Sequence, residues 1–329
     1  MRDVASLAGV ATSTVSLYLR KPEAVMQRTR RRIATAIEQL GYVPNMMAGG
    51  LASASTRAVS LIVPSLRNAF FAETADAMQT VLAGEGVQLL LGHTEYDLAR
   101  EEALVRASLA WRPSAIVLTG LDHSRGTRQM LMRHDTTVIE IWELGGSPID
   151  MMVGFDHREV GRAAARHLLE RGCRHPAFLG ARLDQDQRAR QRAEGFLSAI
   201  AYHGGVRPQI LTVPDPASPG AGTRLLAEAM ATHPTIDGVA CSNDLIALGV
   251  MFACERRDIR IPGQIKVIGF GDLPFAPVAV PPLTTIRPHG RSIGEQAAHL
   301  ALSRLGNGDR SMEHRCIDVG FEVIHRDTS

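Results

Sequence analysis

The chain has 329 residues, 45% of them hydrophobic and 21% charged, with a formal net charge of +2. That length supports more than one core, and no apolar run approaches the roughly 18 uninterrupted residues of a membrane helix. The opening does not read as a secretion signal: Asp3 stands where a basic region belongs, and "VASLAGVA" is short and weakly apolar. The expected location is therefore the cytoplasm. Cys173, Cys241, Cys254 and Cys316 are widely spaced with no C-x-x-C pair, which speaks against a disulfide framework or a zinc site and predicts buried free thiols.

Charge is unevenly distributed. Met1 to Thr56 carries seven basic and three acidic residues, a net of +4, which leaves −2 for the remainder. A basic head on a slightly acidic body points to a polyanion as the partner of the head. Within it, Val4, Ala5, Leu7 and Ala8 fall at helical spacing and Gly9 follows as a left-handed stop. Val15, Tyr18 and Leu19 repeat the pattern on a second short helix. A third runs from about Thr29 to Leu40, with Ile33, Ala36, Ile37 and Leu40 inward and Gly41 closing it. Two helices across a tight glycine turn, braced by a third, make a helix-turn-helix unit whose second helix enters the DNA major groove.

"DVASLAGVATSTVSLYL", then "TRRRIATAIEQLGYVPN" and "AGGLAS", resemble the DNA-binding head and hinge of the lactose/galactose repressor family over the first fifty-odd residues. The resemblance implies that Thr12, Ser13 and Leu17 read bases, while Thr14, Ser16, Tyr42 and Asn45 hold phosphate or pack the head. Leu17 departs from the arginine usual there; leucine offers apolar contact in place of a bidentate grip on guanine, so operator preference should differ. Ala11 and Met26 stand where the family prefers a serine cap, a loss of ~1 kcal/mol each. The chain begins at the first residue of helix one, without the upstream residues that cap it in the family. "PNMMAGGLASAST" is uncharged, and by resemblance it is a hinge that becomes helical when two copies pair in the minor groove, Leu51 wedging a base step and Ala48 and Ala52 meeting their counterparts. The alternative is a flexible linker.

From Arg57 onward, short apolar runs alternate with amphipathic helices: "AVSLIVPS", "VQLLLGHT", "SAIVLTG", "TTVIEIWE", "MMVGFD", "HPAFLGA", "QILTVP", "GVACSN" and "KVIGFGD". This predicts an α/β class with parallel sheets wound by helices on both faces. About eleven runs are too many for one sheet, and turning points near Phe155–His157 and Arg287–Gly290 suggest two doubly wound subdomains. The expected division is a head at 1–45, a hinge at 46–56 and a core at 57–329, with one subdomain at about 57–156 and 288–316 and the other at about 157–287 and 317–329. The core resembles the periplasmic-binding-protein-like body of the same family.

Ligands in such sheets bind at the carboxyl ends of strands. Ser65, Asn68 and Phe71 follow the first strand, and Glu143 ends the fourth. Asp184 and Arg192 flank a strand-to-helix passage, while Asn243 and Asp272 end later strands. By family position Arg192, Asn243 and Glu143 match ligand contacts. Gly271 stands where many sugar-binding members have Asp, and Ala217 where some have a stacking ring. Arg192 suits an anion, since arginine clamps a carboxylate with two parallel hydrogen bonds; the alternative is a structural salt bridge to Asp184 or Asp186. "LGARLD", "SPIDMMVGFDH" and "VPSLRNAFFAE" look most like gluconate-operon repressors, which implies gluconate or a related sugar acid or its phosphate as effector.

Enzymatic constellations are missing: "GFGD" lacks the third glycine of a dinucleotide fingerprint, and no P-loop, H-E-x-x-H or G-x-S-x-G occurs. No enzyme, cofactor or metal is expected. Met130 to Met132 and Met151 to Met152 read as packing. The resulting expectation is a sequence-specific regulator, in the repressor mould, on a near-palindromic operator. It should be a homodimer, since no heptad-rich tail follows "GFEVIHRDTS". The alternative is a sugar-acid solute-binding protein without a regulatory role.

Overall fold

Gly9 and Gly41 punctuate the first stretch of chain, both in left-handed conformation at φ 60° and 56°. They close helices α1 (Arg2–Ala8) and α3 (Gln27–Leu40), with α2 (Thr12–Arg20) between them and a single 3-10 turn at Pro22–Ala24. The computed structural model describes residues 1–43, 56–67, 69–202, 209–305 and 316–329, in two units, Met1–Thr56 and Arg57–Ser329. In the first unit Val4, Ala5, Ala8, Val15, Ile33 and Ala36 form the core, with Val10, Tyr18, Leu19, Ile37 and Tyr42 packed on it. Arg32 of α3 donates from Nη2 to the Gly9 carbonyl at 3.2 Å, which ties the third helix to the turn between the first two. Leu7 and Leu40, expected inward, are 52% and 45% exposed. Each helix here is covered on one narrow side only, so the buried stripe is thinner than the apolar pattern. Helix α3 also starts two residues before its expected Thr29.

The second unit holds twelve strands among the described residues, in two six-stranded sheets. Sheet one has the order β11 (Cys316–Asp318), β5 (Met151–Gly154), β4 (Thr137–Ile141), β3 (Ala115–Thr119), β1 (Ala58–Val63) and β2 (Gln88–His93), all parallel. Sheet two has the order β12 (Phe321–Ile324), β10 (Thr284–Pro288), β9 (Lys266–Phe270), β8 (Gly238–Cys241), β6 (Pro176–Ala181) and β7 (Gln209–Val213). It is parallel except where β12 meets β10 antiparallel. Each of the nine apolar runs is a strand, and β10 to β12 complete the sheets. Central strands such as β3 and β6 are buried along their whole length, as strands covered on both faces must be. The chain passes between sheets after β5, after β10 and after β11.

The helices of this unit are α4 (Ala69–Gly84), α5 (Leu98–Ala110), α6 (Arg125–Arg133), α7 (His157–Glu170), α8 (Gln187–Tyr202), α9 (Pro219–Thr232), α10 (Asp244–Glu255) and α11 (Gly290–Ser303). Helices α7 and α8 approach backbone to backbone: a Cβ on Gly161 would strike the Arg192 carbonyl, and one on Gly195 the Arg158 carbonyl. Three of the four cysteines are buried, but Cys316 is exposed on its edge strand, and Met132 is 75% exposed on α6. Both depart from the burial their apolar character suggested.

Candidate functional site

Helix α2 presents the first surface. Its N-cap is Ala11, in extended conformation with no side-chain cap, and its first turn has no acidic residue. The free amide groups of that end favour an anion. Thr12 and Ser13 are exposed, Leu17 is 36% exposed, and Thr14 and Ser16 are half-buried. Pairs four residues apart share a helical face, so Ser13 and Leu17 make a short row opposite the buried Val15, and Thr12 and Ser16 a second row to one side of it. Tyr42 is partly buried against the head core. Asn45, Ala48, Leu51 and Ala52 lie outside the described residues, as does Asn68.

The second surface is a cleft at the strand ends of the other unit. Seven non-glycine residues among those described have positive φ, and five lie within three residues of a strand's carboxyl end: Glu95, Tyr96, Trp142, Arg182 and Asp272. Such conformations cost on the order of 1–3 kcal/mol each and gather where function fixes the backbone. A cavity of about 340 Å³ opens there, lined by Ser65, Arg67, His93, Glu95, Tyr96, Arg182, Asp186, Ala217, Ser242 and Asn243 among others. Asn243 caps α10, its Oδ1 accepting from the Ile246 amide at 3.1 Å, which leaves its amide NH2 as a donor.

Arg192 sits behind this wall. Its Nη2 donates to the Ser242 carbonyl at 3.0 Å, its Nη1 to Nδ1 of His157 at 2.9 Å, and its guanidinium lies 4.1 Å from the centre of the Phe270 ring. Burial lowers its pKa to about 10 against the opposing charge of Asp186, so it stays cationic at neutral pH. Its Nε is buried without a hydrogen-bond partner among the described residues, as is the Nε of Arg182. A buried unsatisfied donor costs about 1–3 kcal/mol, more when charged, and two on guanidinium groups at one cleft favour an anionic occupant. The ion pair to Asp186 is made by Arg188, at 3.7 Å.

Contacts from α8 reach sheet one. Arg188 donates to the Thr119 carbonyl at 3.3 Å and Gln191 to Glu143 Oε1 at 2.6 Å, while Glu143 Oε2 accepts from the Leu121 amide at 3.1 Å. Arg182 Nη1 donates to the Glu95 carbonyl at 3.4 Å. The bonds of Arg188, Gln191 and Arg182 span the cleft, so whatever moves one sheet's strand ends is felt by the other.

Four of the expected effector residues occupy the cleft or its back wall and three do not. Ser65 and Asn243 line the cavity, Arg192 backs it, and Asp184 is exposed on an adjoining cavity of about 210 Å³. Phe71 is 2% exposed, its ring 4.6 Å from Phe70 and 5.2 Å from Trp142; it points into the core because α4 turns that face to sheet one. Glu143 lines neither cavity, since both its oxygens are taken as above. Asp272 also lines neither: Arg287 and Arg326 hold it at 2.6 and 2.7 Å, which consumes its charge. Tyr96, Arg182, Asp186 and Arg188 were not singled out from sequence as ligand contacts. Arg188 was legible, because it precedes Arg192 by one helical turn on the same face.

The pattern of the lacI family of bacterial regulatory proteins matches residues 1–45, and that of a periplasmic binding protein-like domain matches residues 165–329. The chain is 36% identical over 331 residues to the HTH-type transcriptional regulator GntR of Pseudomonas aeruginosa, covering 100% of this chain and 95% of the relative. It is 32% identical over 329 residues to the HTH-type transcriptional regulator IdnR of Escherichia coli, covering 100% and 98%. A crystal structure of a LacI-family transcriptional regulator from Silicibacter pomeroyi superposes with a TM-score of 0.92 at 34% identity, covering 99% of this chain and 98% of that one.

Proposed function

The chain belongs to the lacI family of bacterial regulatory proteins and is a DNA-binding transcriptional regulator, and we propose that its operator affinity is set by a sugar acid of the gluconate type held in the cleft in front of Arg192. The single observation carrying the effector reading is a pair of buried guanidinium Nε atoms without hydrogen-bond partners among the described residues, one on Arg182 in the cavity lining and one on Arg192 behind it. Ala217, small where a stacking ring would hold a pyranose face, agrees with an open-chain acid.

In this reading residues 1–45 are the head, 46–56 the hinge with Leu51 as wedge, and 57–329 the two-lobed core. Thr12, Ser13 and Leu17 read bases from α2, and Thr14, Ser16, Tyr42 and Asn45 serve phosphate contact or packing. The protein works as a cytoplasmic homodimer on a near-palindromic operator of double-stranded DNA, and sugar acid binding releases it. Ligand affecting operator affinity is a coupling between sites, and it is reciprocal. The solute-binding alternative is not favoured, because the relatives are named as transcriptional regulators and the head matches a DNA-binding family. Among the described residues, no helix is long and apolar enough to cross a membrane.

Calorimetric titration with gluconate, 6-phosphogluconate and 2-ketogluconate tests the effector. Heat with at least one acid, abolished in Arg192→Ala while operator binding persists, is the expected result. No heat with any of the three contradicts it.

A further inference from the structure

Two cavities meet at the cleft, and Tyr96 belongs to the lining of both. The larger, of about 340 Å³, sits at the small end of ligand pockets, which run from about 300 to 1,000 Å³. The smaller, of about 210 Å³, continues on the other side of Tyr96 toward Thr119 and Arg188. Joined, they would hold a molecule substantially larger than a six-carbon acid.

Tyr96 is held as a wall from four directions. Its backbone is in the left-handed region at φ 66°, outside the ordinary range of a bulky residue. Its amide donates to Thr94 Oγ1 at 3.2 Å, and Thr94 is itself tied through its amide to the Val63 carbonyl at 3.0 Å. Its phenol donates to Asp186 across the cleft, and the Arg188 guanidinium lies 6.0 Å from its ring centre. The ring therefore has little freedom to swing aside for a longer ligand.

The two compartments differ in charge. The first carries Arg67 and Arg182 against Glu95 and Asp186, with Arg192 behind. The second is walled by Asp97, Asp122 and Asp184, and by Glu101, whose charge His123 pairs at 2.8 Å, with Arg188 as the cation in its lining. A carboxylate belongs in the first; the second repels anions but offers acceptors to neutral hydroxyl groups.

We propose that Tyr96 is the specificity-determining residue that limits the effector to a single sugar-acid unit, by partitioning one long cleft into an anion compartment and a polyol compartment. The inference rests on the sugar-acid reading of the same site. Removing the ring should admit an acid that carries one additional neutral glycosyl unit, its carboxylate in the first compartment and its sugar in the second.

The test is calorimetry on the full chain, wild type, Tyr96→Phe and Tyr96→Ala, with gluconate and with maltobionate, which is gluconate bearing one glucosyl group. Sorbitol and maltitol supply the same two skeletons without the carboxylate. Wild type and Tyr96→Phe, which keeps the ring, should prefer gluconate by about tenfold or more, the range steric exclusion achieves. In Tyr96→Ala the preference should fall by about tenfold. If Tyr96→Ala keeps the wild-type preference, or Tyr96→Phe loses it, the partition is refuted. Should only the neutral pair bind, the sugar-acid reading fails while the sorbitol-to-maltitol ratio still reports the wall. A crystal structure of Tyr96→Ala reads it without any ligand: one continuous cavity supports the proposal, and two separate cavities overturn it.

Discussion

Arg192 Nη1 lies 2.9 Å from Nδ1 of His157, and because a guanidinium has only donors, that imidazole nitrogen is the acceptor. The other ring nitrogen, Nε2, must then carry the hydrogen, which it donates to the Trp142 carbonyl at 2.7 Å. One neutral tautomer is thus imposed from both sides. Trp142 directly follows β4 of sheet one and Arg192 stands on α8, so this imidazole links the back wall of the cleft to the strand ends opposite.

Burial, reinforced by the charges of Arg192 and Arg188, lowers the His157 pKa well below 6.5. The unfolded chain therefore binds this proton more readily than the folded one, so the stability contributed by His157 is present above pH 6.5 and is lost as pH falls through its depressed value. Histidine-selective NMR should show His157 as the neutral Nε2–H tautomer from pH 8 down to 5.5. A protonated ring at pH 6 would contradict the assignment.

Backbone contact at Gly161 supports the position of Arg192 from behind. Gly161→Ala should lower stability by about 1–3 kcal/mol through overpacking, and should weaken effector binding because the added methyl displaces the Arg192 carbonyl. Denaturant midpoints and ligand titration check both effects. A variant with wild-type midpoint and affinity would mean that the two helices separate at no cost.

His123 has the opposite pH signature. Burial alone would depress its pKa, but the hydrogen bond to Glu101 at 2.8 Å and the negative charges of Glu101 and of Glu140, the latter an ion-pair contact at 3.3 Å, outweigh burial and raise it to about 9. The folded state holds this proton more tightly than the unfolded chain, so the contribution is complete below pH 6.5 and is lost as pH rises through about 9. It amounts to roughly 3 kcal/mol. Stability measured from pH 7 to 10 should fall in wild type and fall less steeply in His123→Gln; parallel curves would refute the assignment.

The head carries uncapped helices. Met26 is the N-cap of α3, with no side-chain hydrogen bond and 80% exposure. Met26→Ser should stabilise α3 by ~1 kcal/mol, read as slower amide exchange along Gln27–Leu40 in the full chain. Unchanged exchange rates would show that the end is satisfied by other means.

How far the sequence carried depended on the range of the interaction. Strands β1 to β9 were legible because each is a continuous apolar run bounded by turn residues, and helical spacing with Gly9 and Gly41 marked the head. Ser65, Asn243 and Arg192 were chosen by the rule that ligands meet strand ends, and the first two line the cavity while the third backs it. Asp272 lies off both cavities, and nothing local reveals that Arg287 and Arg326, distant in sequence, converge on it. Glu143 likewise lies off both cavities, its partners Leu121 and Gln191 arriving from two other elements. Phe71 is a matter of rotation, since one residue along α4 decides between cleft and core. Tyr96 escaped because its importance lies in a positive φ and a cross-cleft bond, neither of which leaves a mark on residue type.

Coupling between cleft and head is measured most directly by fluorescence anisotropy, titrating the protein onto upstream DNA of its own locus with and without saturating gluconate, for wild type and Arg192→Ala. Sequence-specific binding that gluconate weakens about tenfold or more in wild type, and leaves untouched in the variant, is the predicted result. Operator affinity unchanged by every sugar acid in wild type, or binding blind to DNA sequence, would contradict it.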